Sequence, residues 1–196
     1  MSRRVQPMDN RSLAETFEVI ADLLEIQGEI IHKILAYRRA AESIRGLSRP
    51  AADLWGAGEL RTIPGVGEAI AGKIDELMRT GKLDFFEKLK RQVPVTLVDV
   101  LRVGDVGPKK AARFWKELGI TSLPQLEAAA RAGKLRSMAG MGERSEARLL
   151  ESIAAWKARQ STRVSIARAR PVAASLLERL RRLPGVAAAE PAGSLR

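Results

Sequence analysis

Ile63-Pro64-Gly65-Val66-Gly67, running into Glu68-Ala69-Ile70-Ala71-Gly72-Lys73-Ile74, is the stretch on which the reading of this chain turns. The same arrangement returns as Val103-Gly104-Asp105-Val106-Gly107 ahead of Pro108-Lys109-Lys110-Ala111-Ala112. It returns again, more loosely, as Met138-Ala139-Gly140-Met141-Gly142 ahead of a run from Glu143 to Ile153. Each copy has an apolar anchor, a tight turn closing on glycine, and a helix whose first turns carry small and basic residues. Glycine permits positive φ and lets another backbone come close. The unpaired amides of the following helix start then point outward, where they can hold an anion such as phosphate. One such turn is weak evidence; three copies beside basic side chains are strong evidence.

The repeated unit resembles the helix-hairpin-helix, a module that grips a nucleic-acid backbone without reading sequence. Composition agrees with that partner. The 196 residues carry a formal net charge of +11, spread along the chain, which favours a polyanion. No apolar run approaches a membrane span, so no membrane partner is expected. Met1-Ser2-Arg3-Arg4 has no apolar segment behind it and does not read as a secretory signal. The absence of cysteine excludes disulfides and thiolate metal sites, and the single histidine excludes most histidine-based catalysis. A cytoplasmic, nucleoid-associated protein is the expectation. Few aromatics argue against a binder built on many base-stacking platforms.

Periodicity predicts helix after helix. Leu13, Phe17, Ile20 and Leu24 recur at helical spacing after Asp9-Asn10, up to a break at Gly28. Ile31, Ile34, Leu35 and Ile44 line a second helix, with Tyr37, Arg38 and Arg39 in its middle. A short helix follows Pro50; others are predicted over 68–79, 83–92, 108–118 and 123–131, and a long one reaches Trp156. Gly119 and Gly133 read as helix stops, and Trp115 and Trp156 as core. Residues 158–170 are basic and weakly patterned and read as a linker or an edge strand. Val172 to Leu183 reads as a helix, Pro184-Gly185-Val186 as a turn and 186–190 as a strand. The expected fold is all-α: two helical bundles with helix-hairpin-helix motifs, 1–93 and 94–157, then a linker and a truncated α/β start over 158–196.

The run Ile31-His32-Lys33-Ile34-Leu35-Ala36-Tyr37-Arg38-Arg39-Ala40-Ala41, then the first hairpin and Ala71-Gly72-Lys73-Ile74-Asp75-Glu76-Leu77, resembles the N-terminal domain of the family X DNA polymerases. Arg102 to Arg113 is similar to that family's next domain, and Leu183-Pro184-Gly185-Val186 with Gly193-Ser194-Leu195-Arg196 is similar to the opening of its palm. The resemblance implies a role in DNA repair on gapped, nicked or 5′-phosphate-bearing DNA. It makes Gly193 and Ser194 a remnant of a nucleotide site. The palm aspartates that hold divalent metals for nucleotidyl transfer are not among these residues, so the chain alone is not expected to polymerise DNA.

The resemblance also assigns candidate residues. His32, Lys33, Tyr37, Arg38, Gly65, Gly67, Gly107, Lys109 and Lys110 are expected to contact DNA. Carbonyls of Arg61, Ile63 and Val66, and of Leu101, Val103 and Val106, are expected to hold a monovalent cation, sodium or potassium. Lys73 matches the Schiff-base lysine of a 5′-deoxyribose-phosphate lyase, a nucleophile that must be neutral to attack. Ala69 and Phe85 stand where a lyase-active relative carries phosphate-gripping lysines. Asp105 stands where glycine is usual, in a conformation Asp tolerates better than most residues. Three readings stay open: a DNA-binding part of a repair polymerase, a lyase working through Lys73, and a separate helix-hairpin-helix scaffold.

Overall fold

The computed structural model describes residues 8–161, 166–183, 186 and 188–190. Among them it is all-α, with ten α-helices and no strand. Residues Met1–Leu150 form one compact unit and Glu151–Arg196 a second.

The first unit starts at a capped helix. Asp9 accepts a hydrogen bond from the Ser12 amide at 2.7 Å, which starts α1 (Asn10–Gln27) and holds the Asp9 carboxyl below its ordinary value. Gly28 ends it at φ 94°, a left-handed cap that glycine adopts without strain. Leu13, Phe17, Ile20 and Leu24 form its buried face, laid chiefly against α2 (Ile31–Arg45). Asn10 ties the start of α1 across the chain, accepting from the Ala51 amide at 2.6 Å and donating to the Arg49 carbonyl at 3.0 Å. That clamp positions α3 (Ala51–Gly56), which packs on α4 (Glu68–Thr80).

Next come α5 (Asp84–Gln92), α6 (Leu97–Leu101), α7 (Pro108–Leu118), α8 (Leu123–Arg131) and α9 (Glu143–Ser161). Helix α1 touches α5, α6 and α7, so residues from both expected bundles meet on one helix. Gly119, at φ 66°, stops α7.

Two expectations for the C-terminal segment are corrected. Residues 158–161 continue α9, and α10 (Ile166–Arg181) begins at Ile166, where a linker or edge strand was expected. Alanine and arginine are among the strongest helix formers, and that propensity outweighs the weak apolar pattern. Val186, Ala188, Ala189 and Glu190 are not in a strand. A strand without a neighbour has no ladder to join, and the Ala189 carbonyl accepts instead from Arg181 at 2.8 Å. Gly193 and Ser194 lie outside the described residues.

Candidate nucleic-acid interface

The three hairpins share one turn. Val66, Val106 and Met141 donate their amides to the carbonyls of Ile63, Val103 and Met138 at 3.0, 3.2 and 3.0 Å. The residue before each donor is left-handed: Gly65 at φ 78°, Asp105 at 66° and Gly140 at 78°. Asp105 is the one non-glycine residue with positive φ among the described residues. The apolar anchors Ile63, Val66, Val103, Val106, Met138 and Met141 are all buried. Gly67 and Gly107 are extended caps, with no side chain to satisfy the amides of α4 and α7. Those amides are the ones open to a phosphate oxygen.

The register between copies shows where they differ. Counting from the closing glycine, Ala71, Ala111 and Glu146 are equivalent, as are Arg61 and Arg136, and Lys73, Arg113 and Arg148. Arg61 is exposed and has no ion-pair partner among the described residues, whereas Arg136 is held by Glu146 at 2.6 Å and Glu143 at 3.5 Å. Glu146 is 2 % exposed, and its second oxygen has no hydrogen-bond partner among the described residues. Arg113, on the second hairpin's helix, donates to the Ala139 carbonyl of the third turn at 2.9 Å and pairs with Glu117. The third copy therefore keeps the turn geometry while two of its neighbouring cations, Arg136 and Arg113, are held internally.

A second cluster lies between α2, α4 and α5. Lys33 Nζ stands 5.6 Å from the centre of the Phe85 ring and Lys73 Nζ 5.2 Å from it. Phe85 stacks on Tyr37 at 5.9 Å with 9° between the planes, and Tyr37 meets Phe17 at 5.8 Å. Lys33 pairs with Glu29 at 2.6 Å, and Lys73 donates to the Ala69 carbonyl at 3.2 Å. Tyr37 is a core ring, 5 % exposed, and burial pushes its hydroxyl up to about 12.

The other candidates are placed as follows. His32 is exposed on α2, with no partner among the described residues. Arg38 turns to α1, where it pairs with Asp22 at 3.2 Å and with Glu25. Burial raises the Asp22 carboxyl, with Arg38 opposing the rise. Arg45 pairs with Glu18 in the same acidic stripe. Lys109 is exposed and has no partner among the described residues, and Lys110 donates to the Asp105 carbonyl at 2.8 Å.

Arg39 was not selected from sequence. A Cβ placed on Gly65 would lie 3.2 Å from the Arg39 Cβ, so this side chain is rooted beside the first turn. It is exposed and unpaired among the described residues. The signal was present in the Arg38-Arg39 doublet, but sequence could not say which arginine the carboxylates of α1 would take.

Comparison with known proteins agrees with this geometry. Residues 8–83 match the helix-hairpin-helix domain, and residues 97–155 match the SAM-like helix-hairpin-helix tandem. The chain is 29% identical over 189 residues to the DNA polymerase/3'-5' exonuclease PolX of Bacillus subtilis, covering 96% of this chain and 32% of that protein. It is 28% identical over 117 residues to DNA polymerase lambda of Rattus norvegicus, covering 60% of this chain and 19% of that protein. It thus spans a third or less of the length of these relatives. With paired helix-hairpin-helix domains in order and a likeness that runs along nearly all its residues, the chain belongs with the N-terminal part of the family X DNA polymerases.

Proposed function

We propose that this chain holds the sugar-phosphate backbone of gapped or nicked DNA for a family X repair polymerase, independently of base sequence. The observation that carries the reading is the repeated turn, with uncapped amides at Gly67 and Gly107 beside Arg39, Arg61 and Lys109, which have no ion-pair partner among the described residues. Contacts of that kind fix position on a duplex and carry no sequence information. Arg38 and Arg45, by contrast, are held by carboxylates of α1. Among the described residues no helix is long and apolar enough to cross a membrane, and no cluster of acidic, histidine or cysteine side chains is arranged to hold a metal.

The carbonyls of Arg61, Ile63 and Val66, and of Leu101, Val103 and Val106, suit a monovalent cation, because they are neutral oxygens. The Ile63 and Val103 carbonyls each accept one turn hydrogen bond and keep a second lone pair. Such an ion would add positive charge beneath the phosphate.

The test is the salt dependence of binding to a gapped duplex, an intact duplex and a scrambled sequence. Backbone gripping gives a steep linear fall of log affinity with log salt. It also gives equal affinity for the two sequences. A flat salt response or a strong sequence preference would refute it.

A second reading, a 5′-deoxyribose-phosphate lyase, is favoured by the convergence of Lys73 and Lys33 on one ring. Against it, the position of Lys73 is basic in all three copies, as a backbone-binding repeat alone would require. Borohydride trapping on gapped DNA bearing a 5′-deoxyribose phosphate decides between them. An adduct that Lys73→Ala abolishes establishes the lyase, and binding without an adduct excludes it.

A further inference from the structure

We propose that Glu146 withholds the third hairpin's arginine from DNA, holding Arg136 as an internal ligand where a phosphate would otherwise take it. The inference rests on the DNA-binding reading above and sets which repeats contribute an arginine to that binding.

The first and third turns have the same parts. Gly65 and Gly140 are both left-handed at φ 78°, and the amides of Val66 and Met141 each donate back across the turn at 3.0 Å. Each turn has an arginine six residues before its closing glycine, Arg61 or Arg136. Each following helix opens on a glutamate, Glu68 or Glu143, so that residue does not separate the two copies. The difference lies four residues beyond the closing glycine, where Glu146 replaces the alanine of Ala71 and Ala111. Arg61 is exposed with no ion-pair partner among the described residues, whereas Arg136 Nε meets Glu146 Oε1 at 2.6 Å.

A guanidinium presents the same fork of donors to a carboxylate as to a phosphate. The two anions therefore compete for Arg136, and the competition is unequal. Glu146 is tethered ten residues away and buried, so salt screens its pair with Arg136 less than it screens a contact at the surface. A phosphate that took the arginine would leave a charge alone in the interior, which is strongly unfavourable. Glu146 is also a costly way to fill its position, because its second oxygen has no hydrogen-bond partner among the described residues. Alanine fills the same position in the other two copies without that cost. Packing alone does not account for the carboxylate; its hold on Arg136 does. The third turn is engaged from a second side as well, since Arg113 donates to the Ala139 carbonyl at 2.9 Å.

The experiment measures the slope of log affinity against log salt for the full chain on a gapped duplex. Glu146→Ala, which restores the alanine of the other copies, is expected to steepen the slope by about 0.9, the gain of one phosphate contact. Glu146→Ala with Arg136→Ala is expected to return it to the wild-type value. Glu18→Gln removes the same charge and frees Arg45 on another helix, and is expected to leave the slope in place. Should Glu146→Ala fail to fold by circular dichroism, Glu146→Gln keeps the side chain's size and makes the same test. An unchanged slope in the folded Glu146 variant overturns the proposal. An equal rise with Glu18→Gln also overturns it, because net charge alone would then be the cause. Failure of the wild-type chain to bind the duplex would instead overturn the DNA-binding reading itself.

Discussion

Arg136 Nε meets Glu146 Oε1 at 2.6 Å, and Glu146 is a buried carboxylate standing where the other two hairpins have Ala71 and Ala111. A buried charge deprived of its partner costs far more than one removed together with it. Arg136→Ala should therefore lower the thermal midpoint more than Glu146→Ala does. The double variant should recover to within about 1 kcal/mol of the wild type. Thermal unfolding of the three variants measures this, and strict additivity would show that the pair is not coupled.

Asp105 occupies the left-handed position that Gly65 and Gly140 occupy in the other turns. An L-residue other than Gly, Asn or Asp pays about 1–2 kcal/mol there. Asp105→Ala should destabilise the chain by about 1 kcal/mol relative to Asp105→Gly. Asp105→Gly should also bind DNA more tightly, since a carboxylate leaves the neighbourhood of the α7 amides. Denaturant unfolding and binding titrations on the same proteins test both parts.

Arg39 and Arg45 lie on the same helix, but among the described residues Arg45 has an acidic partner and Arg39 has none. Arg39→Ala should reduce the slope of log affinity against log salt by about 0.9, the loss of one phosphate contact. Arg45→Gln, which removes the same charge from the paired side, should leave the slope in place. Equal slopes for all three proteins would show that the side chain beside Gly65 is not a contact.

Tyr37 is the only tyrosine, so its ionisation can be followed by ultraviolet absorbance without ambiguity. Its folded value of about 12, raised by burial and by Glu29, lies above the ordinary value near 10. The unfolded chain releases this proton first. Stability is therefore fully present below pH 10 and declines as pH rises from 10 toward 12, by about 2–3 kcal/mol in all. A native midpoint near 10 would mean that the ring is not sealed between Phe17 and Phe85.

Much of the helical order was legible because its punctuation is local. Asp9 before α1, Gly28 after it and Gly119 after α7 act within a few residues of their own position. The hairpin turns were legible for the same reason. The candidate site was harder, since its decisive relations join distant residues. Phe85 read as a missing lysine; the structure makes it a ring that gathers two lysines from other helices. Nothing in the sequence showed that Glu146, in the third hairpin, faces inward. The continuation of helix through 158–161 was missed because charge density was weighed above propensity.

The hydrogen bond from Arg113 to the Ala139 carbonyl also changes how force travels through the molecule. A strand held at the α7 amides, as proposed, would tug a helix whose side chain is pinned to the next loop. That loop is in turn stiffened by the inward carboxylate behind it. On the proposed function, a load on the second repeat would then be shared with the third.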